Sequence, residues 1–378
     1  METEDQNKKE DYEEIINTFQ SKPKPRWRRF AFGFWILALI VVMLGIGGAL
    51  AYKTSFTFSQ ISVKNSNAVT VEEEPTPQPD PDRVNVLVLG LRGEGDPNGG
   101  LLTDSLMVVS IKRSTGQVAL LSIPRDLYVT MPGETYKEKI NFAYALGYEK
   151  QGAAGGLLYS KIAVSRVTGL NITYAVSFDH MAFKEIVDAL GGIDVTLDKP
   201  FVEDQQWIDG GDTGSSSAFF IQTDTATTSK GVVTTQKWVF KIPAGTSHLD
   251  GNTALYYVRA RYSSSDFDRA RRQQQVLLAI KNKAMSLGVL ANPIKISQLM
   301  DSLGKNVRMD AGAGDVINLL SLYPKLDTKN ITHKVFDTTP AGLLYQSQSS
   351  SGAYILLPLG DNFDRIREAC RNIFNQNN

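Results

Sequence analysis

The stretch YVRARYSSSDFDRARRQQQ, Tyr257 to Gln275, gathers five arginines and two aspartates in nineteen residues. A guanidinium is a rigid planar fork that pairs with two phosphate oxygens at once. Such a cluster belongs either on an exposed, ion-paired helix or around a phosphate-bearing ligand. On a helix beginning near Arg269, the residues Arg269, Arg272 and Gln273 share one face through i, i+3 and i, i+4 spacing, while Arg271 points elsewhere. Arg259 and Arg261 fall at or just past the end of a shorter helix, and Asp266 and Asp268 stand where N-caps would. Cations at a helix N-terminus oppose the macrodipole, and a bound anion reverses that penalty. The pattern favours the phosphate ligand.

Two further stretches concentrate charge at strand ends. GLRGEGDPNGGLLTDSL (90–106) follows a strand and holds five glycines, but it contains neither GxxxxGK[ST] nor GxGxxG. A nucleotide P-loop is therefore not indicated. Asp104, just ahead of the next strand, with Glu94 and Asp96 in the loop, has the carboxylate character that Mg²⁺ uses together with substrate phosphate. The plainer alternative is a turn capped by Asp104 with the other two acids solvated. In SIPRDLYV (122–129), Pro124 ends a strand and sets Arg125 and Asp126 at the sheet edge. A local ion pair there is the plainer alternative, and Lys139 and Asn141 of the nearby KIN add polar groups within reach.

These residues need a scaffold, and the chain supplies alternating elements. VNVLVLGL (84–91) reads as a strand buried on both faces. SLMVVSI and VALLSI flank KRSTG as a hairpin. A helical period over 155–168 stops at Gly169, and ITYAVSF (172–178) is a strand. Asp179 caps HMAFKEIVDAL, which Gly191 and Gly192 end. IDVTL is a strand, 203–237 reads as a long loop or irregular hairpin, and Asp250 caps GNTALYYVR. A helix from about Arg269 to Ser286, the strand AYILLPL and a helix from about Asp361 to Phe374 complete the chain. The class is α/β, a mixed central sheet flanked by helices, in a single domain over 83–378.

Forty basic against forty acidic residues leave no net charge, which argues against a broad nucleic-acid surface. One cysteine, Cys370, excludes a disulfide framework and reads as a helix-face residue. His180, His248 and His333 lack metal-ligand spacing, so zinc hydrolysis and Ser-His-Asp chemistry are not expected. Phe30 to Tyr52 holds no charge over twenty-three residues, about 34 Å as a helix and enough for a bilayer core. KPKPRWRRF precedes it, so the positive-inside rule expects a cytoplasmic tail (1–29), a transmembrane helix (30–52) and an extracytoplasmic remainder. A cleaved signal peptide is the rival reading, disfavoured by the length of the run. Residues 53–82 end in EEEPTPQPDPD and read as an extended Pro/Glu-rich linker.

Six stretches in order, LLTDSLMVVSI, LLSIPRDLYV, KINFAYA, FKEIVDALGGIDV, AGTSHLDGNTALYYVRARY and DFDRARRQQQ, resemble the LytR-CpsA-Psr family of bacterial envelope proteins. The resemblance runs from about Val84 to Ser286 with a break at 203–240. It implies a bacterial membrane protein that transfers a glycan phosphate, as of teichoic acid or capsular polysaccharide, from a polyprenyl-pyrophosphate carrier to peptidoglycan. It also implies an apolar tunnel for the lipid and Mg²⁺ at the pyrophosphate. On matching positions Asp104 becomes a metal ligand, and Arg125, Arg259, Arg261 and Arg269 the pyrophosphate clamps. Lys139, Asn141, Arg272 and Gln273 fall to the head group, and Asp266 either orients the clamp or takes a proton from the attacking hydroxyl. The sequence departs from the family where an acid normally follows the first strand's glycine. Glu94 or Asp96 stands in for that second metal ligand, and Arg92 for the arginine that follows. The alternatives are a pyrophosphatase using water as acceptor, and a non-enzymatic regulator that binds the lipid carrier.

Overall fold

The apolar run at 84–91 folds as β1 (Arg83–Leu91), and β2 (Thr103–Lys112) and β3 (Val118–Ile123) continue it as an antiparallel meander. This is a computed structural model that describes residues 62–63, 77–94, 96, 100–207, 216–228, 231–284, 306–322, 326–327 and 330–375. The expected cytoplasmic tail, the apolar segment 30–52 and most of the linker lie outside the described residues. Among the described residues, no helix is long and apolar enough to cross a membrane.

A small hairpin follows, β4 (Tyr128–Thr130) with β5 (Lys137–Lys139), and then α1 (Ala143–Thr168). The helix begins twelve residues ahead of the recognisable period, because Gln151 and Gly152 leave helical geometry and kink it there. Gly169 ends it in the left-handed conformation, as expected. Next come β6 (Tyr174–Phe178), α2 (His180–Ala189) capped by Asp179, and β7 (Ile193–Leu197). β8 (Phe201–Glu203), β9 (Phe219–Thr228), β10 (Gly231–Ile242) and β11 (Gly245–Leu249) lead to α3 (Gly251–Arg259), capped by Asp250, and α4 (Asp266–Ala284). The C-terminal part holds β12 (Val307–Met309), α5 (Ala313–Leu322), β13 (Thr332–Val335), the hairpin β14 (Leu344–Gln348) and β15 (Tyr354–Pro358), and α6 (Asp364–Arg371).

The central sheet runs β12-β6-β1-β2-β3-β13, with β1/β6 and β3/β13 parallel and the other pairs antiparallel. It is the mixed sheet the alternation predicts, and the C-terminal strands complete both of its edges. The segment expected as an irregular hairpin is regular: β9 and β10 pair from Phe219↔Phe240 to Thr228↔Gly231. Its Thr- and Val-rich strands carry β-propensity without an apolar alternation, so periodicity alone hid them. Ser62 and Val63, from the presumed spacer, pair with Met309 (Val63 N to Met309 O, 2.8 Å), so the folded unit takes in residues ahead of Arg83.

The two faces of the sheet differ. Leu87, Leu89, Leu106, Val108 and Leu121 pack with Leu157 and Val164 of α1 and Ile366 of α6 in one continuous core. Cys370 is buried there, its thiol pushed up to about 12 by burial, and is as inert as its helix-face position suggests. The opposite face, through Val88, Gly90, Met107 and Val176, meets a cavity enclosed by α2, α3 and α4. Beyond it lies a second, aromatic core in which Trp207, Phe219, Phe240 and Tyr256 stack edge to face.

Candidate active site

Strand register decides which residues meet. Gly90 lies opposite both Ser105 and Phe178, and Leu106 opposite Ile123. The loops after β1, β3 and β6 and the start of β2 therefore open at the same end of the sheet. Arg92, Asp104, Arg125 and His180 reach one place from four separate segments. Ligands in open α/β sheets favour such an end.

The helices bring the second group. α3 ends at Arg259, and its connection to α4 carries Arg261 and Tyr262. α4 starts earlier than the expected Arg269, and its cap is Ser265 rather than Asp266 or Asp268. The Asp268 amide donates to Ser265 Oγ (3.1 Å) while the Ser265 amide donates to Asp268 Oδ2 (3.2 Å), a capping box with aspartate in the acidic place. That arrangement releases Asp266 from capping. Its Oδ1 lies 2.9 Å from Arg269 Nη1 and 3.8 Å from Arg261 Nη1.

Asp104 bridges the remaining cations. Oδ2 accepts from Arg92 Nε at 3.1 Å and Oδ1 from Arg125 Nη1 at 2.5 Å. Burial pushes the Asp104 carboxyl up, but Arg125, Arg92 and Arg269 outweigh it and hold the group below its ordinary range. Arg269 is 6% exposed, and burial pulls its guanidinium down to about 10 against the partial support of Asp266, with Arg125 and Arg261 adding repulsion. Arg125 Nε is buried and makes no hydrogen bond, with Asp126 Oδ2 3.6 Å away as its ion-pair partner. A site that crowds partly buried cations against so few carboxylates is arranged for an anion.

The cavity behind these groups has a volume of about 380 Å³. Val88, Val176, Phe183, Leu255, Val276 and Ile280 form its apolar interior. At its rim stand Arg92, Arg125, Arg259, Arg261 and Arg269 against, among the described residues, the single carboxylate of Asp104. The chamber thus suits a molecule with an apolar tail and an anionic head.

Of the sequence-predicted residues, Arg92, Asp104, Arg125, Arg259, Arg261, Arg269 and Gln273 line this cavity. Five others are placed elsewhere, among them Asp266, which lines a smaller neighbouring cavity instead. Arg272 shares the face of Arg269, but its guanidinium donates to the carbonyls of Tyr257 (3.0 Å) and Ala260 and stacks 4.6 Å from the Phe201 ring centre. It braces the α3–α4 connection, with its charge at the helix C-terminus the macrodipole favours. Lys139 pairs with Asp126 at 2.7 Å behind the arginine wall. Asn141 is buried, and its backbone amide and carbonyl latch Arg125 and Thr103. Glu94 is exposed in its turn and lines neither this cavity nor its smaller neighbour. Arg271 pairs with Asp268 and Asp337, away from the cluster as expected.

Sequence reasoning missed His180, Gln206 and Tyr262 at the rim. His180 was legible in principle, since it follows Asp179 directly after a strand ending at the active edge. Burial and the Arg259 charge pull its imidazole down to about 4, so it is neutral at ordinary pH. An unfolded chain takes up that proton near 6.5, the folded one only near 4. Between those values the unfolded state binds more protons, so stability falls as pH drops through the window. His180→Gln is expected to flatten the stability–pH curve there relative to wild type, by denaturant titration at several pH values. Parallel curves would contradict the assignment.

Comparison with known proteins gives a consistent result. The model of the LytR_cpsA_psr family matches residues 51–372. The chain is 31% identical over 244 residues to the "Polyisoprenyl-teichoic acid--peptidoglycan teichoic acid transferase TagT" of Bacillus subtilis (strain 168), covering 64% of each chain. It is 27% identical over 237 residues to the TagU transferase of the same description from Bacillus cereus (strain AH820), covering 62% of this chain and 63% of that one. The match therefore spans a little under two thirds of these relatives' length. A solved structure of "TagT bound to LIIa-WTA" shares the fold with a TM-score of 0.55 at 22% identity, covering 84% of this chain and 100% of that one.

Proposed function

The chain belongs to the LytR-CpsA-Psr family, and from that premise we propose that it transfers a glycan phosphate from a polyprenyl-pyrophosphate carrier to peptidoglycan. The observation that carries this reading is the cavity itself, an apolar chamber closed at one end by five guanidinium groups. A polyprenyl tail fits the first part and a pyrophosphate the second. The names of the relatives, teichoic acid transferases, support an anionic wall glycan as the group moved. A carrier embedded in a bilayer also gives the apolar segment 30–52 a purpose, as the anchor of a domain working outside the cell.

Phosphoryl transfer needs little covalent help from the protein; positioning and neutralisation of charge dominate. Arg125, Arg259, Arg261 and Arg269 hold the pyrophosphate oxygens, with Arg92 oriented by Asp104. The acceptor hydroxyl attacks the glycan-side phosphorus, the bond to the bridging oxygen breaks, and polyprenyl phosphate leaves. Asp266, fixed by Arg269 and Arg261, takes the hydroxyl proton and then passes it to water.

Mg²⁺ ordinarily binds through one or two carboxylates, substrate phosphate and water. Among the described residues, Asp104 is the one carboxylate on the large cavity, and no group of three or more His, Cys, Asp or Glu side chains can hold a metal. That donor set fits Mg²⁺ only jointly with a pyrophosphate, so Asp104 would hold the ion as one ligand among the phosphate oxygens. When bound, the ion would supply further neutralisation of the phosphate charge. Calorimetry is expected to detect no saturable Mg²⁺ binding to donor-free protein and clear binding once inorganic pyrophosphate is present. Tight binding without pyrophosphate would reject this arrangement.

The overall reading is tested by supplying labelled lipid-linked glycan and peptidoglycan to the full chain. Wall-linked label is the expected outcome. Release of free sugar phosphate with no wall-linked product would identify a pyrophosphatase instead.

A further inference from the structure

A second, smaller cavity of about 170 Å³ lies against the first. Asp104, Ser105, Arg125, Arg269 and Gln273 line both, so the arginine cluster is a wall between two chambers. Their linings differ in kind. Behind the wall the second chamber presents Asp126, Ser265 and Asp266, then Gln346 and Tyr354 from the β14–β15 hairpin. Asp266 lines this side alone.

We propose that this second cavity is the acceptor subsite, receiving one sugar of a hydroxyl-bearing glycan with Tyr354 as its platform and Gln346 as a polar contact. The inference rests on the transferase reading above and extends it to residues outside the arginine cluster. Three observations support it. In-line displacement needs attacking and leaving oxygens on opposite sides of the phosphorus. With the lipid leaving group in the apolar chamber and phosphorus at the shared wall, the attack must come from the side that holds Asp266. The chamber is also smaller than the roughly 300–1,000 Å³ of sites that swallow a whole small molecule. It suits one end of a polymer that continues outside. Finally, its chemistry is that of sugar recognition: carboxylates, a hydroxyl and an amide around a ring that is 43% exposed. Burial and the nearby Asp126 and Asp266 carboxylates push the Tyr354 phenol up, so it stays protonated and can donate.

In the step itself the acceptor oxygen forms the new O–P bond, its proton passes to Asp266, and the bridging oxygen departs with polyprenyl phosphate. No further reactant is required. Tyr354 and Gln346 touch the acceptor and not the reacting phosphorus, so their loss weakens acceptor binding selectively.

The test uses the full chain with lipid-linked donor and a soluble peptidoglycan disaccharide as acceptor. Tyr354→Ala and Gln346→Ala are each expected to raise the acceptor KM about ten-fold with the donor KM within about two-fold, as loss of ground-state acceptor contact requires. Both side chains are exposed, so folding is not at stake. Saturation-transfer NMR on the disaccharide alone gives a readout independent of turnover: signal with wild type, lost in Tyr354→Ala. An active wild type whose acceptor KM is indifferent to both substitutions overturns the subsite and leaves the transferase reading intact. A wild type that forms no product from donor and acceptor overturns both.

Discussion

Arg269→Ala is expected to lower kcat/KM for transfer by on the order of 10³, the scale seen when one preorganised donor to a developing anion is removed. The residue is 6% exposed, stands in the wall shared by both chambers, and is held in place by Asp266 at 2.9 Å. Burial has already weakened its hold on its proton, to about 10, so the desolvation cost has been met before a ligand arrives. Binding a phosphate there recovers that cost, and the recovery is greatest where negative charge builds up in the transition state. Stability should change far less than activity. The substitution removes a buried cation, and the Asp266 left behind has a side chain 33% exposed that water and Arg261 still serve. Arg269→Lys keeps the charge but not the fork, and should recover only part of the rate. Steady-state kinetics with thermal melts of the three proteins decide the matter. A rate within ten-fold of wild type, or a collapse of stability matching the loss of rate, would contradict this role.

Asp104→Ala should have the largest effect on the fold. Among the described residues, Asp104 is the one acid beside five guanidinium groups on the large cavity, and it pairs directly with two of them. Truncating it strips Arg92 and Arg125 of the carboxylate they share and leaves the cluster to Asp266, paired with Arg269, and Asp126, 3.6 Å from Arg125. Loss of one partner of a buried charge pair costs about 3–5 kcal/mol, and the 23% exposure of the Asp104 side chain places the expected loss at about 2–4 kcal/mol. Because the missing charge is negative, inorganic pyrophosphate should restore much of it, a saturating ligand at 100 times its Kd giving about 2.7 kcal/mol. The pH dependence has a definite sign. The folded carboxyl lies below its ordinary 3.8, so its contribution is present above that value and lost as pH falls through the depressed one. Denaturant titrations with and without pyrophosphate are the measurement. Equal stability of variant and wild type, or no response to pyrophosphate, would remove Asp104 from the centre of the cluster.

Much of this site can be read in the sequence, and particular residues show where reading stops. Strand periodicity and the placement of acids before apolar runs find β1, β2, β3, β6 and the caps Asp179 and Asp250, because those features are local. The same local signals give Asp104 and Arg125 at strand ends. Arg269 and Arg272 cannot be separated in this way. Spacing puts both on one face of α4, but only the neighbouring elements decide that Arg269 meets the sheet edge while Arg272 meets the end of α3 and Phe201. Asp266 is ambiguous for a related reason: it looks like a cap until Ser265 and Asp268 are seen to cap each other. His180 is missed because its neighbours lie in distant segments, joined to it only by the register of β1 with β6. The second chamber is out of reach altogether, since Gln346 and Tyr354 enter it from a hairpin that the motifs never touch.

The most direct measurement is the lipid carried by the full chain purified from a membrane extract, released and identified by mass spectrometry. A cavity with an apolar interior and an arginine rim should retain a polyprenyl phosphate or pyrophosphate, and Arg269→Ala should reduce its amount. Ordinary membrane phospholipid in its place, or no retained polyprenyl lipid at any donor concentration, would contradict the assignment of this cavity to the carrier.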